Sequence, residues 1–462
     1  MANWNKKIQN DLIGIKKMSL ESWFYLLIVG ILFLSYLVVR YYATRVFENE
    51  IAFQEVSFGF SQLKVWRFRN LIFISCIFLL ILFFSNQLKS PIRLFFEYLE
   101  RRPWRVDLFI VLSTILMTTV FLLFSTNFIN EDGRHFQAKF ERDVPTLGAH
   151  ITHDEMWELY FHSRFWFYTN KYFGWDVKFS YRVVSCLMGG IFIFALLKYA
   201  RQKFSVGRWF GLALLICSGG YMQLFFGEVE NYSMTAVLLF FYLWSSDLYI
   251  QRKTSLLAPS IIMSIALGFH LLSGFFLPSL VYLYILAIQR RQFRFIILSS
   301  IISTLIILLN LVYFSFHGLP ISDLWTNSIA SGKGGSYSMF LVSPNVKYYF
   351  QIVNLFFLLV PSFIFILPLA IFKRIVPTAT NIHLLISIAG VFLLTLGWKA
   401  QLGVYNDWNL FAVTALPVSL LVWNNFDNIL EAKLKSEIAL IAGFIFFFHS
   451  WAWIMSNHLM GR

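Results

Sequence analysis

Charged side chains are scarce in this chain, since Asp, Glu, Lys and Arg supply only 13% of its 462 residues. Soluble domains carry roughly 25% of such residues, so the sequence excludes a large soluble domain. Cysteines are also few: Cys76, Cys186 and Cys217 all lie in apolar segments. This placement excludes a disulfide framework or a thiolate zinc site, and we expect the three thiols to be small core residues.

Hydrophobic residues make up 58% of the chain, and they are grouped in runs of the length that crosses a bilayer. The pattern predicts an all-α, polytopic transmembrane helical bundle of about thirteen spans. We expect residues 1–106 to form appended N-terminal spans and residues 107–462 to form the transmembrane core. The predicted spans are 22–39, 70–85, 107–126, 182–197, 209–224, 233–250, 255–270, 272–288, 295–315, 347–372, 381–398, 411–425 and 438–455.

The net charge of +14 is compatible with nucleic-acid binding, but its distribution indicates a membrane orientation instead. Basic clusters at 101–105 and 198–208 fall on alternate loops, as the positive-inside rule requires. We therefore predict no nucleic-acid partner and a multi-pass protein of the inner membrane with a cytoplasmic N-terminus. The longer exterior loops would be 127–180, 316–346 and 399–410, and their helices would contact membrane lipids.

One segment, residues 255–288, does not fit a regular span. It is too long for one helix across the bilayer and barely long enough for two, and Gly268, Ser273 and Gly274 interrupt it. Short helices that end inside a bilayer are tolerated where they line a cavity. Because basic residues flank both ends, we predict a hairpin of two short helices. A single tilted span would reverse the orientation of everything downstream.

The first long exterior loop is rich in carboxylates. They are Glu131, Asp132, Glu141, Asp143, Asp154, Glu155, Glu158 and Asp176. Asp132 follows an apolar run at the predicted bilayer edge, where a general base could remove a proton from an acceptor hydroxyl. The alternative is that the pair Asp132-Gly133 forms only a turn. Asp132 is the first catalytic candidate and Asp154 is the second.

The same loop contains a predicted surface helix at about 154–169. Its aromatic stripe is typical of a helix that lies in the membrane interface and consists of Trp157, Phe161, Phe165 and Tyr168. A second stripe, Asp154, Glu158 and His162, could ligate a cation, although a solvated helix face explains the same spacing. Thr152 and Glu155 match a capping box, so Glu155 has either a capping or a substrate-binding role.

Two further exterior segments carry candidate substrate-binding residues. Glu228 and Glu230 occupy a very short turn between two spans, where unpaired carboxylates are costly; they are either substrate ligands or ordinary boundary residues. His270 lies at the turn of the predicted hairpin, where it either packs or contacts a phosphate. Asp407, in the last exterior turn, could bind a sugar or pair with Lys399.

Three cations are candidate ligands for a phosphate: Arg164, Lys333 and Lys399. Lys333 lies in the glycine-rich segment 331–336, which lacks the spacing and the preceding strand of a nucleotide P-loop. Its backbone amides could still hold a phosphate, or the segment could be a flexible loop. Lys399 follows a predicted span on the exterior side, where the positive-inside rule does not account for a Lys. Either Lys399 binds the phosphate, or its side chain extends to the lipid headgroups.

Several short motifs of the chain resemble those of the GT-C class of membrane glycosyltransferases. They are Glu131-Asp132-Gly133, His153-Asp154-Glu155, Tyr181-Arg182-Val183-Val184-Ser185, Gly227-Glu228-Val229-Glu230-Asn231-Tyr232 and Asn406-Asp407-Trp408-Asn409. The resemblance covers about 107–425 and departs from the class in its two preceding spans and in lacking a large soluble C-terminal domain.

The resemblance implies transfer of a hexosyl or pentosyl group from a polyprenyl-phosphate or polyprenyl-diphosphate sugar. The acceptor would be a lipid, a glycan or a protein, and the reaction would take place at the exterior face. By analogy, Asp132 takes the catalytic role and Asp154 follows. A divalent cation is left open as a cofactor.

Two other functions fit the predicted topology. An O-antigen polymerase or ligase is also a multi-span enzyme, and we would expect it to rely more on exterior Arg and His. A lipid or solute transporter would show broken helices in corresponding positions of two related halves, whereas the sequence indicates a break only in 255–288. A lateral cavity beside Asp132 would favour the transferase, and internal symmetry would favour the transporter.

Overall fold

The computed structural model confirms the predicted all-α fold, because every described element is a helix. The described residues are 89–127, 131–152, 154–203, 208–319, 346–397, 404, 407–426 and, near the C-terminus, 443, 446–447, 450–451, 453–455 and 457–459. The predicted spans 22–39 and 70–85 lie outside them, as does the loop that contains Lys333. The division into appended spans and a core therefore stays a prediction.

Fifteen α-helices are described. In chain order they are α1 (Lys89–Glu100), α2 (Pro103–Leu123), α3 (Glu131–Leu147), α4 (Met156–Phe173), α5 (Val177–Lys203), α6 (Arg208–Cys217), α7 (Ser233–Ile250), α8 (Leu257–Phe269), α9 (Leu277–Gln289), α10 (Phe293–Phe316), α11 (Val346–Leu359), α12 (Ile366–Ile371), α13 (Ala379–Gly397), α14 (Trp408–Ala412) and α15 (Ala415–Phe426). Short 3₁₀-helices connect some of them at Gly220–Phe225, Leu271–Phe276 and Pro361–Phe365.

Six helical segments of the described chain are long and apolar enough to cross a membrane. They are α2, α5, α7, the segment Leu271–Gln289, α10 and α13. Most of α5 and α7 is buried, so these two helices form the centre of the bundle, and Cys186 of α5 is a core residue as predicted. By contrast α2 and α10 turn mainly apolar side chains outward, as helices that face lipid do.

The predicted hairpin at 255–288 is present. Helix α8 ends at Phe269, His270 adopts an extended backbone with φ −152°, and a 3₁₀-helix leads into α9. Arg290, just after α9, donates hydrogen bonds of 3.1 and 2.9 Å to the carbonyls of Tyr249 and Ile250 at the end of α7. The chain therefore returns to the side from which it left, and the prediction of two short helices is confirmed.

Two other predicted spans, 209–224 and 347–372, are broken in the structure, although the sequence indicated a break only in 255–288. The first break lies at Gly219 and Gly220, whose backbones pass so close to the carbonyls of Leu358 and Leu359 that a side chain would not fit. The second break lies just after Leu358 and Leu359 in the chain. Pro361 causes it, because proline cannot donate the backbone hydrogen bond that would continue α11. The two interruptions therefore pack against each other.

The hairpin also packs tightly against α13. A methyl group added at Gly390 would overlap the carbonyl oxygen of Phe275, and a backbone oxygen cannot rotate away. We expect Gly390→Ala to lower the free energy of unfolding by about 1–3 kcal/mol, the usual cost of overpacking. The measurement is the thermal midpoint of the purified protein in detergent.

Gly397 provides the matched control, since it lies in the same helix with nothing within 4 Å of an added Cβ. Gly397→Ala should leave the midpoint unchanged or raise it, because Ala is the better helix former by about 1 kcal/mol. Equal losses in the two variants would contradict the close approach at Gly390.

Candidate functional site

Acidic side chains from three segments lie close enough to Tyr232 to act electrostatically on its hydroxyl. Asp154 and Glu155 precede α4, Glu230 belongs to the turn before α7, and Asp407 precedes α14. Burial raises the pKa of the Tyr232 hydroxyl, and the negative charges of these four carboxylates raise it further. We call Asp154, Glu155, Glu230 and Asp407 the carboxylate cluster. The structure thus brings together four of the residues that the sequence singled out.

A chain of hydrogen bonds holds Glu155 in this cluster. The Tyr181 hydroxyl donates to Asn231 Oδ1 at 2.9 Å, and Asn231 Nδ2 donates to Glu155 Oε2 at 3.1 Å. The other oxygen of Glu155 lies 3.6 Å from His270 Nε2. These groups come from α5, the 226–232 turn and the hairpin break. Their contacts with Glu155 therefore connect three parts of the bundle to the loop before α4.

His270 is oriented by the backbone around it. Its Nδ1 accepts a hydrogen bond of 3.1 Å from the amide of Leu272, so the ring proton lies on Nε2 and faces Glu155. Burial lowers the pKa of His270 to about 4, and the ring is neutral at physiological pH. The neighbouring amide of Leu271 donates to the carbonyl of Asp154 at 2.9 Å. The hairpin break therefore fixes the position of Asp154.

Two sequence predictions about the start of α4 are wrong. The capping box is absent, because α4 begins at Met156 with Glu155 itself as the N-terminal cap residue and without a capping side-chain bond. The stripe of Asp154, Glu158 and His162 is not a solvated face, because Glu158 and His162 are buried. The reason is tertiary packing, since this face of α4 covers the start of α7 and part of α5.

Glu158 makes the main contact of that face. Its carboxylate accepts from the amides of Met234 and Thr235 at 2.9 and 3.2 Å and from the Thr235 hydroxyl at 2.5 Å. These donors belong to the first turn of α7, where helix amides lack intrahelical partners and the helix dipole favours an anion. Burial raises the pKa of Glu158 to about 7 while the three hydrogen bonds oppose the rise.

The residues that could hold a metal ion do not assemble into a ligand set. His162 stacks on Tyr181 with ring centroids 3.8 Å apart, and the Glu158 carboxylate accepts its hydrogen bonds from the first turn of α7. Among the described residues, no three His, Cys, Asp or Glu side chains are grouped so that they could hold a metal ion. The divalent cation that the sequence left open therefore stays a prediction, and no step of the reaction proposed below runs through one.

Glu228 lies in the turn between Phe226 and Tyr232, and it contacts Trp408, the residue after Asp407. It is only 4% exposed, and its Oε2 has no hydrogen-bond partner. Burial raises its pKa to about 8, although hydrogen bonding to Gln223 and Trp408 opposes the rise. A carboxyl group in this environment is mostly protonated at neutral pH, so Glu228 is poorly suited to bind a cation.

The remaining predicted residues are not part of the cluster as described. The Arg164 guanidinium donates to the Gly148 carbonyl at 2.9 Å and to the Tyr168 hydroxyl at 2.7 Å, so it joins α4 to the residue that follows α3. Asp132 lies in the first turn of α3. Lys333 and Lys399 lie outside the described residues, and their roles stay predictions.

The sequence did not identify the residues that organise the cluster. Tyr181, Asn231 and Tyr232 stand inside motifs that carried the resemblance, but nothing in their spacing assigns them partners. Tyr181 and Asn231 are 50 residues apart, and Asn231 and Glu155 are 76 apart. One available signal was Asn231 itself, because a buried amide needs partners for both its donor and its acceptor.

The raised pKa of Glu228 predicts a pH-dependent stability. Below its ordinary pKa of 4.5 the folded and unfolded chains are both protonated there. As the pH rises from about 4.5 to about 8 the folded chain retains a proton that the unfolded chain releases, so this contribution to stability is progressively lost. Glu228→Gln keeps a neutral group, and its thermal midpoint should increasingly exceed that of the wild type between pH 5 and pH 9.

Glu158→Gln is the contrasting variant. The amide nitrogen of Gln is a hydrogen-bond donor, and in this position it would face the donor groups of Met234 and Thr235. The variant should lower the free energy of unfolding by about 1–3 kcal/mol, the cost of leaving buried hydrogen-bonding groups unsatisfied.

Parallel midpoint-versus-pH curves for wild type and Glu228→Gln would contradict the Glu228 prediction, because they would show that Glu228 is ionised in the folded protein.

No protein-family model and no curated protein matches this chain. Among solved structures, it is similar to the crystal structure of ArnT from Cupriavidus metallidurans bound to undecaprenyl phosphate. The TM-score is 0.54 at 11% sequence identity, covering 77% of this chain and 78% of that one. The apo-state ArnT crystal structure gives a TM-score of 0.46 at 13% identity, covering 70% and 59%. The chain thus has the fold of ArnT, a GT-C membrane glycosyltransferase, as the resemblance of its motifs predicted.

Proposed function

We propose that this protein is an integral-membrane glycosyltransferase that moves a sugar from a polyprenyl-phosphate or polyprenyl-diphosphate donor to an acceptor on the exterior face. The observation that carries the proposal is the carboxylate cluster, assembled from separate loops at one end of the bundle. The fold adds support, because a protein of this fold has been crystallised with undecaprenyl phosphate.

The chemistry requires a base for the acceptor hydroxyl and an environment that excludes water. In the proposed reaction a carboxylate takes the hydroxyl proton while the acceptor oxygen attacks the anomeric carbon. The bond between that carbon and the phosphate oxygen breaks, and the polyprenyl phosphate, or the polyprenyl diphosphate of a diphosphate donor, leaves with the electron pair. We assign the base to Asp132, near the start of α3, with Asp154 as its rival.

The other acidic residues have roles that follow from their contacts. Glu230 and Asp407 act electrostatically on the Tyr232 hydroxyl, and we propose that they accept hydrogen bonds from sugar hydroxyls. Glu155 is engaged by Asn231 and faces His270. We therefore propose that Glu155 and His270 act mainly by holding Asp154 in place, rather than by direct contact with the donor.

Transport is the second candidate function. The structure favours it more than the sequence did, because it contains additional helix breaks at Gly219 and Pro361. Broken helices at paired positions are a feature of many transporters. In this chain, however, the breaks at Gly219 and Pro361 pack against each other, whereas Asp154 and Glu155 of the carboxylate cluster contact the hairpin break. Sugar transfer by the purified protein in detergent, where no compartment exists, would favour the enzyme.

The assignment of catalytic residues predicts unequal effects of two isosteric changes. Asp132→Asn removes the base without changing size, so turnover in a sugar-transfer assay with a polyprenyl-phosphate sugar should fall about 10²–10⁴-fold with the thermal midpoint retained. Glu141→Gln is the matched control, since Glu141 is an exposed carboxylate of the same helix, and it should keep wild-type turnover. A dead Asp154→Asn beside a nearly normal Asp132→Asn would move the catalytic role to Asp154.

The proposed orientation places the carboxylate cluster outside the cytoplasm. Lys171, at the end of α4, and Lys253, after α7, are both exposed and lie at opposite ends of the bundle. In intact cells, a membrane-impermeant thiol reagent should label Lys171→Cys and should leave Lys253→Cys unlabelled until the membrane is opened. The reverse pattern would refute the charge-based orientation.

A further inference from the structure

Two basic side chains of α5 turn toward the end of α2 rather than toward a carboxylate. Lys178 Nζ donates to the carbonyl of Asn127 at 3.0 Å, and Arg182 Nη2 donates to the carbonyl of Thr126 at 3.2 Å. The two residues are one helical turn apart, and both are partly buried. We call them the cation pair. Neutral carbonyls hold the pair in position without neutralising its charge.

The cation pair is electrostatically incomplete. Like charges four residues apart on a helix repel each other, and among the carboxylates whose side chains the structure describes none forms a salt bridge with Lys178 or Arg182. Asp176 attracts Lys178 from a distance, but its Oδ1 accepts from the amide of Phe179 at 2.6 Å. The Nε of Arg182 is buried without a hydrogen-bond partner. An anion bound at this place would supply the missing charge and acceptors.

The surroundings connect the cation pair to the carboxylate cluster. Gly227, with φ +76°, lets the 226–232 turn pass directly over Arg182, where an added Cβ would lie 2.7 Å from Arg182 Cγ. Tyr181, next to Arg182 in the chain, begins the hydrogen-bond chain that reaches Glu155. Asn127 lies five residues before Asp132, so the held segment leads directly to the proposed base.

We propose that Lys178 and Arg182 bind the phosphoryl group of the lipid-linked donor, with the sugar directed toward the carboxylate cluster. The inference rests on the proposed function and adds two cations to Arg164, Lys333 and Lys399, the candidates that the sequence indicated for the phosphate. An Arg guanidinium offers a planar fork of donors to phosphate oxygens, and a Lys ammonium adds a compact charge. The same two cations would stabilise the phosphate as it departs.

Direct binding to purified protein tests this inference without relying on catalysis. The probes are undecaprenyl phosphate and the matching alcohol, undecaprenol, titrated into the protein in detergent. Wild type should bind the phosphate more tightly than the alcohol. Lys178→Gln keeps a donor for the Asn127 carbonyl but removes the charge, so it should weaken phosphate binding about 10–100-fold, as expected for a charge-assisted hydrogen bond. Its affinity for the alcohol should not change.

Two further variants guard against an indirect effect. Lys171→Gln removes an exposed cation at the end of α4 and should leave both affinities unchanged. Arg182→Lys keeps the charge and loses the fork, so phosphate binding should weaken while the thermal midpoint stays near that of the wild type. If Lys178→Gln fails to fold, Arg182→Lys still decides the question, because undiminished phosphate binding by it would count against the pair.

Competition distinguishes the sources of phosphate. Inorganic phosphate and phosphatidylglycerol vesicles should each displace undecaprenyl phosphate poorly, because the proposed donor combines a phosphate with a polyprenyl chain. Equal displacement by phosphatidylglycerol would identify a general headgroup site and overturn the assignment. A phosphate preference that stays at the wild-type level in both cation-pair variants would also overturn it while leaving the proposed function intact. No preference of the wild type for the phosphate over the alcohol would instead overturn the proposed function.

Discussion

The hydrogen bonds between Glu158 and the first turn of α7 are the constraint on which this end of the molecule depends. A buried carboxylate is tolerated only where donors replace its water, and the unpaired amides of a helix start provide those donors. Glu158 belongs to a loop helix, whereas Met234 and Thr235 belong to a central span. The contact therefore fixes α4 against the bundle, and the residues just before α4 are fixed with it.

The hairpin break completes this arrangement from the other side. An unbroken helix through His270 would use the amide of Leu271 internally, and that amide would not reach the carbonyl of Asp154. The break frees the amide, orients the imidazole through Leu272 and presents its Nε2 to Glu155. Backbone irregularity inside a membrane protein is costly unless it is satisfied within the protein, and here the loop before α4 satisfies it.

The sequence predicted the parts of this structure that depend on local pattern and composition. Apolar runs located the six described helical segments that are long enough to cross a membrane, and the glycines with their flanking charges predicted the hairpin. The burial of Glu158 and His162 was not predictable, because it depends on α4 packing against residues about 76 positions away. The break at Gly219 was missed for the same reason, since its cause is the backbone of Leu358 and Leu359 rather than anything in its own segment.

The 226–232 turn separates two regions of opposite charge. On one side Gly227 packs on Arg182, and on the other Glu230 and Asn231 belong to the carboxylate cluster and its hydrogen-bond chain. A lipid-linked sugar has the same division, with an anionic phosphate joined to a neutral ring rich in hydroxyl donors. Because one rigid turn sets the spacing of the two regions, the bond between phosphate and sugar would lie across that turn.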